Sequence, residues 1–166
     1  MRKILQELFN RLGINPTITD YLEAITYVLI IGLIALIFWM IAKRLLRLIF
    51  SNISKRTKSK FDDFLIKNKI PETLALFPPL LLLMGLLPQF LKSFPVIEKP
   101  VISLLEVFST IVSIILVRRL LNSFKDFFKT LENFKNKPID SYIQVVMIFV
   151  WFIGIMFIFS ILSGKD

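Results

Sequence analysis

Four runs with one charged residue or none alternate along this chain with segments in which Lys and Arg are concentrated. Ala24 to Ala42 is a stretch of 19 uncharged residues rich in Ile, Leu and Val, with Phe38 and Trp39 near its end. At ~1.5 Å per helical residue it covers roughly 28 Å, close to the ~30 Å hydrocarbon layer of a bilayer. It predicts a first membrane span over about 22–42. Thr73 to Leu91 is a second uncharged run, also of 19 residues, and predicts a span over about 72–91. Val101 to Val117, interrupted only by Glu106, predicts a third over about 101–117. Ser141 to Gly164, 24 uncharged residues centred on Trp151, predicts a fourth over about 140–162.

Two of these patterns outlast the bilayer. Leu45, Leu46, Ile49, Phe50 and Ile53 recur at helical spacing among Lys43, Arg44 and Arg47, so the first helix is expected to continue as an amphipathic extension. Leu120, Leu121, Phe124, Phe127, Phe128, Leu131 and Phe134 do the same after the third span, and this stripe is expected to pack against the 45–65 region. Ile4, Leu5, Leu8, Phe9 and Leu12 share one helical face, which predicts an interfacial amphipathic helix over 1–16, ended by Gly13 and Pro16. The four-span domain then occupies 17–166, with Thr17 and Asp20 as a capping box. A polar hairpin is expected over Ser54 to Lys60, and Pro71 suits a first helical turn. Pro78 and Pro79 should kink or break the second span near Phe77 to Leu80, making them the candidate hinge. Pro95 and Pro100 are expected to mark the turn between the second and third spans.

Composition agrees with the membrane reading: 55% of the residues are hydrophobic, 17 are Phe, and the mean hydropathy is +0.72. The absence of Cys and His removes disulfides, thiolate nucleophiles, imidazole bases and the usual zinc and haem ligation. No catalytic role and no cofactor are expected. Residues 1–20 lack the apolar core and small-residue cleavage site of a signal peptide. The net charge of +9 is confined to segments between spans, the pattern of a membrane protein rather than of a nucleic-acid-binding face. Segments 42–70 and 118–138 hold 15 of the 21 basic residues. By the positive-inside rule they are expected to be cytoplasmic with both chain ends outward, which in a Gram-negative cell means the inner (cytoplasmic) membrane with both ends on the periplasmic side.

Three stretches resemble a known family. Lys55-Arg56-Thr57-Lys58-Ser59-Lys60-Phe61-Asp62-Asp63, about one helix beyond the first span, resembles a motif of MscS-like mechanosensitive ion channels in their YbdG-like miniconductance branch. Lys137-Pro138-Ile139-Asp140-Ser141-Tyr142-Ile143-Gln144-Val145-Val146 is similar to the entry into that branch's fourth span. Ser160-Ile161-Leu162-Ser163-Gly164-Lys165-Asp166 is similar to the lead into its pore helix. Phe61 stands where the family has Trp, and Asp140 and Ser141 where it has a basic residue and Gly. The resemblance implies a tension-sensing paddle, release of solutes on osmotic down-shock, and assembly as a homo-heptamer. It also implies a pore helix and cytoplasmic domains, none of which these residues contain, so the pore is expected from sequence beyond Asp166. The alternative is a non-channel scaffold or accessory subunit whose phenylalanine stripe docks a partner complex.

The candidate site residues follow from these readings. Lys43, Arg44, Arg47, Lys55, Arg56, Lys58, Lys60, Arg118 and Arg119 are candidate contacts for anionic lipid headgroups, each worth ~1 kcal/mol near the surface; topology alone also accounts for them. Glu106 and Gln144 are the candidate intramembrane polar residues. A charge at a helix centre costs ~2.5–3.5 kcal/mol, although Glu106 lies near the outer end, where an interfacial position suits it. Gln144 reads as an interhelical hydrogen-bonding residue. Asp62 and Asp63 point about 100° apart on a helix, so they read as a cap or salt bridge neutralised by Lys58, Lys60 and Lys67 rather than as a catalytic or cation-binding pair.

Overall fold

The computed structural model describes residues 16–56, 61–134 and 137–164. The interfacial segment expected over 1–16 lies, apart from Pro16, outside the described residues, as do Lys58 and Lys60. Six α-helices and one 3-10 turn, with no strand among the described residues, make an all-α membrane protein: α1 (Pro16–Arg56), α2 (Phe61–Lys67), α3 (Ile70–Leu74), α4 (Phe77–Leu91), α5 (Pro95–Phe128), the 3-10 turn Glu132–Phe134, and α6 (Ile139–Ser163). Four helical stretches are long and apolar enough to span a membrane: within α1, across α3 and α4 together, α5, and α6.

In lipid every backbone N–H and C=O must be satisfied within the chain, and a continuous helix does this at least cost. The 41 residues of α1 extend about 62 Å at ~1.5 Å each, about twice the hydrocarbon thickness. The amphipathic extension expected beyond Lys43 is therefore the same helix. The helix opens with Pro16 in its first turn, where a missing N–H costs nothing. Thr17 is accordingly inside α1 rather than its cap. Along the membrane part, Glu23, Ala24, Tyr27, Ile31 and Ala35 are buried at helical spacing, while Leu29, Leu33, Leu36 and Met40 are exposed.

The spans form a row: α1 packs on α4, α4 on α5, and α5 on α6. The core lies between the first three, where Ala24, Tyr27 and Ile31 meet Leu87, Leu91 and Phe94, with Ile97, Val101 and Leu105 of α5 against them. Tyr27 and Phe90 pack with ring centroids 5.6 Å apart. The second span is broken at Ala75–Leu76, immediately before the Phe77 to Leu80 stretch where the break was expected. Pro78 and Pro79 occupy the first turn of α4, and neither can donate to the carbonyls of Leu74 and Ala75. Pro88 remains inside α4, where Gln89 Nε2 donates to the neighbouring Gly85 carbonyl at 3.0 Å.

Pro100 departs from expectation. The turn is Lys92–Phe94, and α5 begins at Pro95 and runs through Pro100. So close to the helix start a proline forfeits a single bond, to the carbonyl of Val96, an exposed residue in the first turn of α5. α6 is the least enclosed of the four spans, with only Ile139 and Gly154 buried, and it closes on Gly164 in the left-handed conformation (φ 63°). Gly154 marks its closest approach to α5: a Cβ there would overlap the Cδ1 of the buried Ile114. Small residues at such crossings let helices approach in lipid, where no hydrophobic force drives them together.

Gly154→Val is expected to destabilise the bundle by about 1–3 kcal/mol through overpacking. Adding Ile114→Ala should recover most of that loss. Denaturant titration in mixed micelles measures the coupling; additive effects of the two substitutions would show that the helices do not cross there.

Candidate functional site at the basic end of the bundle

The connector formed by α2 and α3 sits between α1 and α5 at the end of the bundle that carries most of the Lys and Arg. It turns at Asn68–Lys69, with Lys69 in the left-handed region (φ 57°, ψ 35°), an uncommon conformation for a non-glycine residue. The Lys69 carbonyl accepts from the Thr73 amide at 3.3 Å, from the Thr73 hydroxyl at 3.1 Å and from Arg119 Nη1 at 2.8 Å. Arg119 also donates to Thr73 Oγ1. One turn further along α5, the buried Ser123 hydroxyl reaches the Phe64 carbonyl at 3.1 Å. Asp126 then accepts from Asn68 Nδ2 at 3.3 Å and pairs with Lys67 at 3.4 Å. Arg119, Ser123 and Asp126 share one helical face, which is why a single side of α5 grips the connector.

The opposite side of the connector is tied to α1. Arg47 pairs with Glu72 at 2.9 Å, and the Ser54 hydroxyl donates to Asp63. Asp62 and Asp63 both lie in the first turn of α2, where carboxylates oppose the helix dipole favourably. Asp63 is bound to Ser54, while Asp62 Oδ2 is buried with no hydrogen-bond partner among the described residues. Lys67, expected to neutralise them, faces α5 and pairs with Asp126 instead. Among the described residues no cluster of acids has the makings of a metal site. The phenylalanine stripe packs in part on the connector, with Phe61 5.1 Å from Phe124 and 5.4 Å from Phe127 and Phe134 folded back to 5.3 Å from Phe128, while Phe124 and Leu131 remain exposed.

The candidate basic residues divide by direction. Arg119 is engaged in the clamp, whereas its neighbour Arg118, about 100° away around the helix, is exposed beside α6. There it lines a cleft of about 550 Å³ with Asn122, Lys125, Asp140 and Gln144. Gln144, expected to bond between helices, makes no side-chain hydrogen bond to another helix among the described residues and lines this cleft instead. Asp140 is held by Lys129 and, at 3.3 Å, by Lys125, which fixes the start of α6 to α5. Lys43 sits over the Trp39 ring at 5.0 Å, and Arg44 is exposed. Lys55 and Arg56 end α1; their side chains are outside the described residues.

Two cavities meet at Trp39, whose Nε1 is buried without an acceptor. One, about 290 Å³ and almost wholly apolar, lies between α1, α4 and α5 and is lined by Gly32, Ala35, Leu36, Pro79, Leu83 and Phe108 among others. The other, also about 290 Å³, runs along Met40, Lys43, Arg44, Arg47 and Leu48. A third, about 500 Å³, separates Leu121, Phe124 and Phe128 from Ile139, Tyr142 and Ile143, with Lys137 at its edge. An apolar chamber beside a basic surface suits a molecule with an acyl chain and an anionic head.

Glu106 lies towards the other end, exposed on α5 beside α6, with no side-chain hydrogen bond or ion pair among the described residues. Sequence reasoning did not single out the buried polar residues Thr73 and Ser123 of the clamp, nor Glu23, which precedes the uncharged Ala24 to Ala42 run, is fully buried and accepts a hydrogen bond from the Tyr27 hydroxyl at 2.7 Å. The Glu-Tyr spacing of four residues was the available signal. No protein-family model, curated protein or solved structure matches this chain.

Arg119→Ala is expected to cost about 1.5–3 kcal/mol, the worth of hydrogen bonds from a charged donor. Arg119→Lys should restore only part of it because the fork geometry is lost. Arg118→Ala should stay within about 0.5 kcal/mol of the parent chain. Melting temperatures in detergent check all three, and equal losses at 118 and 119 would contradict the assignment.

Proposed function

We propose that this chain is the tension-responsive transmembrane region of a small- or miniconductance mechanosensitive channel. In this reading it lies in the cytoplasmic membrane, basic end inward and both chain ends on the periplasmic side. The observation that carries the reading is the thinness of the packing at the end of the row. α6 is buried only at Ile139 and Gly154, so its position in the membrane plane depends on lipid as much as on protein. Tension favours whichever state occupies more membrane area, and a sensor must therefore have two states of unequal area separated by a modest free energy. The close crossing of α5 and α6 at Gly154 and the break at Ala75–Leu76 are two places where area changes without unravelling a helix.

Phospholipid supplies the second half of the mechanism. An acyl chain fills the cavity behind Pro79, and an anionic headgroup rests on Lys43 and Arg44. Stretching the bilayer draws that lipid out and lets α1 and α4 tilt together against α5. The clamp on the connector keeps the basic end intact during this motion, because Arg119, Ser123 and Asp126 hold backbone and side chains of α2 and α3 at once. Movement then passes through α6 towards the pore helix that the sequence resemblance implies. The same resemblance supports assembly as a homo-heptamer. No catalytic step belongs to this reading.

Spin labels at Leu33→Cys on α1 and Phe157→Cys on α6 test it directly. The distance distribution in liposomes should shift by about 3 Å or more when the vesicles are swollen osmotically. An unchanged distribution at tensions close to lysis would overturn the sensing role. For the lipid site, Trp151→Phe leaves Trp39 as the sole tryptophan, and brominated anionic phospholipid should quench it. Replacing both Lys43 and Arg44 with Gln should weaken that quenching about tenfold or more, at ~1 kcal/mol per basic residue.

A further inference from the structure

Below and above their crossing at Ile114 and Gly154, α5 and α6 diverge, and the gap on the side of the Lys92–Phe94 turn is a cleft of about 760 Å³. Its walls are polar for a place between two membrane spans. Ser103, Glu106, Ser109 and Thr110 line it from α5, and Ser160 faces them from α6. Glu98 and Lys99 stand at its mouth, near the start of α5, and Gly164 closes the opposite wall. At ~1.5 Å per residue Glu106 lies about 8 Å along α5 from Val101, where the apolar run begins, and Thr110 about 14 Å. The cleft thus reaches towards the middle of a ~30 Å hydrocarbon layer.

An ionised carboxylate in lipid is costly unless water or a partner reaches it. Glu106 has no side-chain partner among the described residues. Thr110 and Ser113 spend their hydroxyls on carbonyls of their own helix, at 2.9 Å to Glu106 O and 2.9 Å to Ser109 O. The remaining partner is water, for which the cleft has ample room: at ~30 Å³ per molecule it holds on the order of 25. Low-dielectric walls on either side of a charge in a cleft focus its field and raise the local concentration of counter-ions.

We propose that this cleft is an aqueous inlet into the membrane that concentrates small hydrated cations at Glu106. Lys99 at the mouth offsets Glu98, so Glu106 sets the sign of the field inside. Ile114 against Gly154 is the floor that seals the inlet from the basic cleft of Arg118 beyond it. The proposal stands independently of the tension-sensing role.

The chain contains no cysteine, so single cysteines report without background. The experiment uses Thr110→Cys and Ser103→Cys in the cleft and Leu104→Cys, on an exposed apolar position of the same helix, as the lipid-facing control. Each is reconstituted in liposomes and exposed to membrane-impermeant methanethiosulfonates carrying either a trimethylammonium or a sulfonate. The expected result is reaction at 103 and 110 about tenfold or more faster than at 104. The cationic reagent should be favoured over the anionic one, relative to a free thiol in solution, by about tenfold at 110. Glu106→Gln should abolish that preference while leaving the anionic rate unchanged or higher. Reactivity at both 103 and 110 no greater than at 104 would mean that lipid fills the cleft, and would overturn the proposal. Reaction without a charge preference, or a preference that survives Glu106→Gln, would overturn the role of Glu106. Since position 103 lies nearer the mouth, a folding defect at 110 leaves the comparison intact.

Discussion

The carbonyl of Lys69 is the point on which the basic end of this molecule depends. A chain that leaves helical geometry must find other partners for the backbone groups it frees. The turn between α2 and α3 leaves it at Lys69, in a conformation that costs a non-glycine residue energy. Three donors converge on that carbonyl, and the strongest, Arg119, comes from a helix far away in sequence. Once Arg119 is in place, Ser123 and Asp126 follow along the same face of α5 and reach Phe64 O, Asn68 and Lys67. Arg47 and Ser54 complete the attachment from α1.

Away from this hub the packing is sparse, and the solvent explains why. Apolar side chains gain little by leaving lipid for protein, so spans associate through close backbone approach and polar contacts rather than by burying broad surfaces. Ala24 and Ala35 on α1 and Gly154 on α6 provide such approaches. Apart from Tyr27 and Ile31, which face the core, most large side chains of α1 and α6 remain outward. In water this surface would aggregate; in a bilayer it is the solvated face.

The α5–α6 pair shows how a single close crossing generates two distinct environments. Helices that cross at an angle separate on both sides of the contact. On one side the divergence exposes Glu106 and a series of hydroxyls, and on the other Arg118, Asn122, Lys125 and Gln144. The apolar contact of Ile114 with Gly154 stands between acidic and basic clefts. Gly154 has no side chain to fill the space, and Ile114 occupies it.

The spans themselves were legible because hydropathy and length are local properties: a run such as Ala24 to Ala42 has one low-energy solution in a bilayer whatever its neighbours do. The continuation of α1 past Lys43, the break before Pro78 and the contact of the phenylalanine stripe with Phe61 were legible for the same reason, as local periodicity and local steric constraint. The limit was reached at Pro100, where the sequence suggested a turn and position near a helix start made the proline harmless. Side-chain roles were less readable, because they depend on which helix stands opposite. Arg118 and Arg119 look equivalent in sequence, yet 100° of rotation gives one to α6 and the other to the connector. Glu23 stands beside an uncharged run in the sequence, and only the packing of the helices around its neighbours Ala24 and Tyr27 shows it buried. What the sequence determined alone was where the chain crosses the membrane, since that depends on the solvent. Only the tertiary structure decided which polar groups are bonded and which face a cleft, since that depends on neighbours that hydropathy does not specify.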